Sequence, residues 1–103
     1  MSIRIGGYSF EGPYSSTEML QDRSGVYVIL DKRADGHYYV LDVGESAQVK
    51  TRVETHDRKD CWRRNCRGTL YVAVLYTPKL QQHGRSKIEQ EILQQSHPPC
   101  GER

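Results

Sequence analysis

Val26 to Leu30 is an unbroken apolar run rich in β-formers. A second β-prone run, His37 to Val43, follows after a charged segment ending in Asp35-Gly36. An Asp-Gly pair between two such runs is a hairpin signal, so the two are predicted to pair as adjacent strands. A strand that is apolar at every position has both faces covered. The first run therefore belongs in the middle of a sheet, with structure packed on each side, and that demands a layered α/β or α+β fold.

The rest of the chain supplies the layers. Gly44 and Ser46 mark a strand-to-helix transition with Ser46 as the expected N-cap. A helix is predicted over Ala47 to His56, with Val49 and Val53 spaced i,i+4 toward the core. Asp57 to Gly68 reads as a loop or irregular short helix. Leu70 to Tyr76 is a third strand, stopped by Pro78. Arg85 to Gln95 is a last helix with Ile88, Ile92 and Leu93 as its stripe, ended by Pro98-Pro99. The expected order is β-β-α-β-α, a small mixed sheet of about three strands covered by helices. Residues 1–24, rich in Ser, Gly and Tyr, are expected to be a polar lead-in with a turn at Gly12-Pro13, and residues 25–103 to be the domain. At 103 residues there is chain for one core.

Several classes fall away. The longest apolar stretch, Leu70 to Tyr76, is far too short to span a bilayer. The opening MSIRIGGYSF has no secretory h-region, so a cytoplasmic address is expected. Three cysteines, Cys61, Cys66 and Cys100, cannot all pair within one chain, which predicts reduced thiols. With His56 and His97 they offer zinc donors, but at spacings unlike the usual structural sites. Net charge is only +2, yet Lys50 to Arg67 holds seven Lys/Arg against three Asp/Glu. A local basic excess suits an anionic partner, nucleic acid first; a solvated charged face is the plain alternative.

The ordered motifs carry a resemblance. Gly25-Val26-Tyr27 on the first strand and Asp42-Val43-Gly44 ending the second resemble the paired tripeptides of the GIY-YIG nuclease superfamily. Gly44-x-Ser46-x-x-Val49-x-x-Arg52-Val53-x-x-His56 is similar to the strand-turn-helix that follows them there, and Glu89 and Pro98 fit the spacing of that family's last helix. Two positions depart from the pattern: Asp42 replaces the second tyrosine, and Gly101 replaces the usual asparagine. The resemblance implies a metal-dependent endonuclease hydrolysing phosphodiesters, in DNA before RNA, with Mg²⁺ or Mn²⁺ held by Glu89. Arg52 would bind a phosphate oxygen, and Tyr27 or His56 would handle the proton of the attacking water. Gly25, Gly44 and Ser46 would shape the backbone. A non-catalytic nucleic-acid-binding module on the same scaffold is the competing class.

Residue chemistry adds its own expectations. At roughly 100° per residue, Glu89 falls inside the apolar arc of its helix and Glu91 outside it. A carboxylate so placed needs a pairing, a cap or a metal, and Ser86-x-x-Glu89 would also serve as a capping box. Tyr27 in a central strand could simply be core with a bonded hydroxyl. Trp62 could stack on a base or anchor its loop. Lys50, Arg58, Lys59, Arg63, Arg64 and Arg67 are the candidate phosphate contacts. Asp42 could attract the metal, repel phosphate, or turn away to bond backbone amides near Gly44. No membrane is implicated; sequence specificity would have to come from loops, a second copy of the chain, or a partner protein.

Overall fold

The structure, a computed structural model, describes residues 1–101, so the last two positions of the expected domain lie outside the described residues. In chain order the strands are β1 (Ser2–Ile5), β2 (Tyr8–Tyr14), β3 (Gly25–Lys32), β4 (Tyr38–Ser46) and β5 (Thr69–Tyr76). The helices are α1 (Val49–Glu54), α2 (Lys59–Asn65) and α3 (Gln82–Ser96). The predicted hairpin is β3–β4, paired from Gly25↔Ser46 to Lys32↔Tyr38 with a break in register between Ile29 and Leu30. β5 runs antiparallel along the other edge of β3. Central placement of β3 accounts for its unbroken burial from Gly25 to Asp31.

Five strands, not three, make the sheet, in the order β1-β2-β5-β3-β4. Residues 1–24 are thus largely structural: β2 pairs with β5, and Phe10 is fully buried. Expected as a turn, Gly12-Pro13 instead lies inside β2, where the register with β5 shifts. The segment hides its pattern because each strand is short and interrupted by Gly, Pro and Ser. Only Ile3, Ile5, Tyr8 and Phe10 alternate enough to register as β.

Each face of the sheet has its own core. Tyr27, Ile29, Leu41, Val72 and Val74 pack with Val49, Val53 and Trp62 beneath α1 and α2. Val26, Val28, Leu30, Val43 and Ala73 pack with Phe10, Ile88 and Ile92 beneath α3. The alternation along β3 therefore sends Tyr27 to one layer and its neighbours Val26 and Val28 to the other. At the far end of β3, fully buried Asp31 accepts from the amides of Arg67 and Gly68, from Arg33 Nε, and from Cys66 Sγ. This one carboxylate fastens the loop that leads into β5.

Local details differ from expectation at the helix ends. α1 starts at Val49, and Ser46 is not its N-cap: it ends β4, and its Oγ accepts from the Gln48 amide at 2.9 Å. The orphan amides are met from a distance, Val49 N by Arg23 O and Thr51 N by Asp22 Oδ1. α3 begins three residues before Arg85, which puts Ser86 inside it and removes the capping-box role from Ser86 and Glu89. The thiol expectation also changes. Cys61 and Cys100 are joined by a disulfide, and Cys66 alone is free. An odd count guarantees one unpaired thiol and leaves the other two to tertiary proximity. The Cys100 amide donates to Leu41 O at 2.9 Å, so the turn after α3 covers the outer edge of β4.

Candidate active site

Tyr27 sits opposite Gly44 in the β3–β4 ladder. A Cβ at Gly44 would fall 2.2 Å from the Tyr27 hydroxyl oxygen, so glycine is required by the tyrosine ring lying across the backbone. The sequence suggested a turn as the reason for this glycine; the cause is a neighbouring strand. At Gly25 a Cβ would meet Leu75 O at 2.6 Å, so the first tripeptide's glycine lets β5 close against β3. Both glycines act by omission.

The hydroxyl of Tyr27 meets His56 Nε2 at 2.7 Å, and both side chains are buried. His56 Nδ1 accepts the Arg58 amide at 3.0 Å. A backbone N–H can only donate, so neutral His56 carries its proton on Nε2 and donates it to the tyrosine oxygen. The tyrosine's own proton is then directed away from His56. Burial pushes His56 down to about 4, and the Arg52 and Arg58 guanidiniums push the same way. Burial likewise pushes Tyr27 up to about 12, against the pull of Arg52. The pair is a neutral imidazole holding a neutral phenol at pH 7.

Arg52 projects from α1, half exposed, with one nitrogen 3.2 Å from Asp57 Oδ1. Such an exposed contact is easily exchanged for another anion. The expected helix to His56 is shorter: α1 ends at Glu54 with Thr55 as its C-cap. Arg52 is therefore on the helix and His56 follows it, and the two meet Asp57 through the turn and not through a shared helix face.

Asp42 is different. It is fully buried and accepts from Arg58 Nε at 2.8 Å, Arg58 Nη2 at 3.2 Å, Trp62 Nε1 at 2.8 Å and the Val43 amide at 2.8 Å. Its turn onto a backbone amide is as the sequence allows, but the main partners are side chains of α2 and the residue before it. With four donors in place it has little left for a cation, and Arg58 faces inward as its counter-ion. Trp62 is buried against His56, with ring centroids 4.7 Å apart, and anchors α2 to the body. The second departure is a spatial neighbour of the first: a Cβ at Gly101 would fall 2.7 Å from Leu93 and Pro98 side-chain atoms and 3.4 Å from Asp42 Oδ1. There is no room for asparagine there while Leu93 and Pro98 hold their places.

Glu89 is buried on α3, as its position in the apolar arc predicts, and neighbours the stripe of Ile88 and Ile92. That helix covers the sheet face opposite Tyr27. The contacts holding Tyr27, Arg52 and His56 run to one another and to Arg58 and Asp57. Among the described residues no three His, Cys, Asp or Glu gather as a metal site. One carboxylate oxygen with water completing the shell nonetheless suits a hard cation such as magnesium. Zinc fares worse, because two of its candidate thiols are bonded to each other, the third donates to Asp31, and His56 is occupied at both nitrogens.

The basic residues divide by direction. Arg58 is committed to Asp42; Lys50 and Lys59 are half-buried, and the Lys59 ammonium donates to Glu54 O. Arg63, Arg64 and Arg67 are exposed, Arg63 with only a surface pairing to Asp60. The buried network at this site that the sequence does not reveal is Asp42–Arg58–Trp62, in which Arg58 and Trp62 lie 16 and 20 residues from Asp42 with no periodic link. No family model, curated protein or solved structure matches the chain.

Proposed function

We propose that this chain is a phosphodiester hydrolase of the GIY-YIG type, acting on nucleic acid with one Mg²⁺ or Mn²⁺. The observation that carries the proposal is the Tyr27 hydroxyl, held by His56 Nε2 at 2.7 Å and laid over the bare backbone of Gly44. That arrangement unites separate positions of the resembling motifs in one place. The succession β3-β4-α1-β5-α3 supports it as well, with α2 and the β1–β2 hairpin as additions to the expected core.

The resemblance assigns to Glu89 the cation, which would supply charge neutralisation at the phosphate and at the leaving oxygen. Helix α3 packs on the other face of the sheet from Tyr27, so the Glu89→Gln variant tests whether that carboxylate serves this site. Arg52 exchanges Asp57 for a non-bridging phosphate oxygen, for which its planar fork is suited. Tyr27 acts as the phenolate, its own proton having gone to solvent, and that oxyanion is stabilised by the His56 Nε2–H and by Arg52. It takes one proton from the attacking water, whose oxygen bonds to phosphorus as the bond to the leaving oxygen breaks, and the leaving oxygen takes a proton from solvent. His56 is a positioning residue: the Arg58 amide fixes its tautomer, so it presents a proton to Tyr27 and does not withdraw one.

The binding-module alternative has one observation in its favour. Asp42 is spent on Arg58 and Trp62, so the second tripeptide brings no side chain to the reaction. Supercoiled plasmid with Mg²⁺ or Mn²⁺ separates the two, with EDTA and Glu89→Gln as controls. The hydrolase predicts metal-dependent nicking lost in Glu89→Gln while its melting temperature is retained. Plasmid binding without nicking selects the module, and neither activity refutes both.

A further inference from the structure

Beside the Tyr27 site is a pocket of about 200 Å³ that the mechanism does not use, lined by Tyr14, Ile29, Trp62 and Leu70 together with Lys59 and Arg63. Pockets for drug-sized ligands measure roughly 300–1,000 Å³, so this one admits a single flat ring system and little more. Its position ties it to the site. Ile29 lies two residues along β3 from Tyr27 and in the same core layer, and Trp62 is shared between His56 and the pocket. The Trp62 ring is held by its bond to Asp42, so this wall is fixed before any ligand arrives. Tyr14, half-buried at the end of β2, adds a second aromatic wall.

We propose that this pocket receives one unstacked nucleobase of a single-stranded segment whose neighbouring phosphate lies at Arg52, a proposal that rests on the hydrolase reading. The half-buried Tyr14 ring is the wall that can accept the face of any base, with the buried Trp62 backing the hollow. The charge is also complementary: Lys59 and Arg63 bring cations to a hollow whose other walls are apolar apart from Ser15, Ser16 and Thr17, as a base joined to phosphate requires. Arg63 is engaged only in an exposed pairing with Asp60, which a phosphate readily displaces. A base within duplex cannot reach such a hollow without leaving the stack. The substrate class is therefore single-stranded or locally opened nucleic acid in preference to continuous duplex.

The test uses the whole chain and a series of single-stranded DNA 12-mers, intact, abasic at half of the positions, or abasic at every position, binding being measured in EDTA so that no cleavage intervenes. The proposal predicts that the fully abasic strand binds about tenfold more weakly than the intact one, a loss of the size expected for one stacked base. Leu70→Trp, which fills the pocket, should bind the intact strand as weakly as wild type binds that abasic strand, and should show no further abasic effect. Equal binding across the wild-type series overturns the pocket whether or not the variant folds; so does an apolar peptide that competes while abasic strands bind normally. Plasmid nicking is scored in parallel. Nicking with a flat abasic series leaves the hydrolase standing and removes the base site, whereas an abasic effect without nicking keeps the base site and removes the hydrolase.

Discussion

Asp42 sets the local electrostatics, and it does so through Arg58. A fully buried carboxylate left without its guanidinium is an uncompensated charge, and breaking such a pair costs about 3–5 kcal/mol. Arg58→Ala should therefore lower stability by about that amount, whereas Arg63→Ala, whose partner is exposed, should leave the melting curve nearly unchanged. Urea titration of both variants checks this; equal, small effects would return Arg58 to the set of surface phosphate contacts. The proton chemistry is tested at the same scale. With Tyr27 held near 12, kcat/KM for nicking should climb about tenfold per pH unit between pH 7 and 9. A base with the acidity of His56, near 4, would give a plateau throughout that range. The grouping of Tyr27, Arg52, His56 and Gly44 was legible through the resemblance and not from residue type alone, since a tyrosine in a central strand is ordinarily core. The fate of Asp42 was not, because its partners come from a helix with no fixed register to β4.

At the scale of elements, α2 faces two ways. Its inward side carries Trp62 and, just before it, Arg58; its outward side carries Arg63 and Arg64. Composition revealed a basic segment but not this division, since seven residues of helix leave too few turns for a periodic pattern to declare itself. Neutralising Arg63 and Arg64 together should reduce the log–log salt slope of duplex binding by about 1.8, roughly 0.9 for each phosphate that either arginine had neutralised. An unchanged slope would make that side a solvated face. Helix α1 shows the same limit of local reading: its first turn is satisfied by Asp22 and Arg23, far back in the chain, where a nearby Ser46 looked sufficient.

The whole molecule responds to acid through two buried groups of the same sign. His56 sits near 4 in the fold against 6.5 when unfolded, so the unfolded chain binds the extra proton and stability falls as pH drops from 6.5 toward 4. For Asp31, burial alone would raise the carboxyl, but the Arg67 amide, Arg33, the Gly68 amide and Cys66 together hold it near 2. Its contribution is complete above 3.8 and is lost as pH falls toward 2. Acid unfolding of wild type should thus show two sloping regions, the upper one absent in His56→Gln. The β1–β2 hairpin matters on the same scale, because the core of the α3 layer includes Ile5 and Phe10 and because β5 would otherwise be an open edge. A short polar segment conceals this role in the sequence, since its apolar side chains are few and each gains its burial from strands far along the chain. A chain starting at Gly25 is predicted to lose the fully buried Phe10, expose Ala73 and Ile92, and leave the β5 edge free to pair between molecules. Removing a buried Phe side chain alone costs about 3–5 kcal/mol, a large share of a small domain's stability. The shortened chain should therefore aggregate or melt without cooperativity, as followed by circular dichroism and light scattering. A cooperative melt at the wild-type temperature would show that β3, β4, β5 and the helices stand alone and that the hairpin is an accessory.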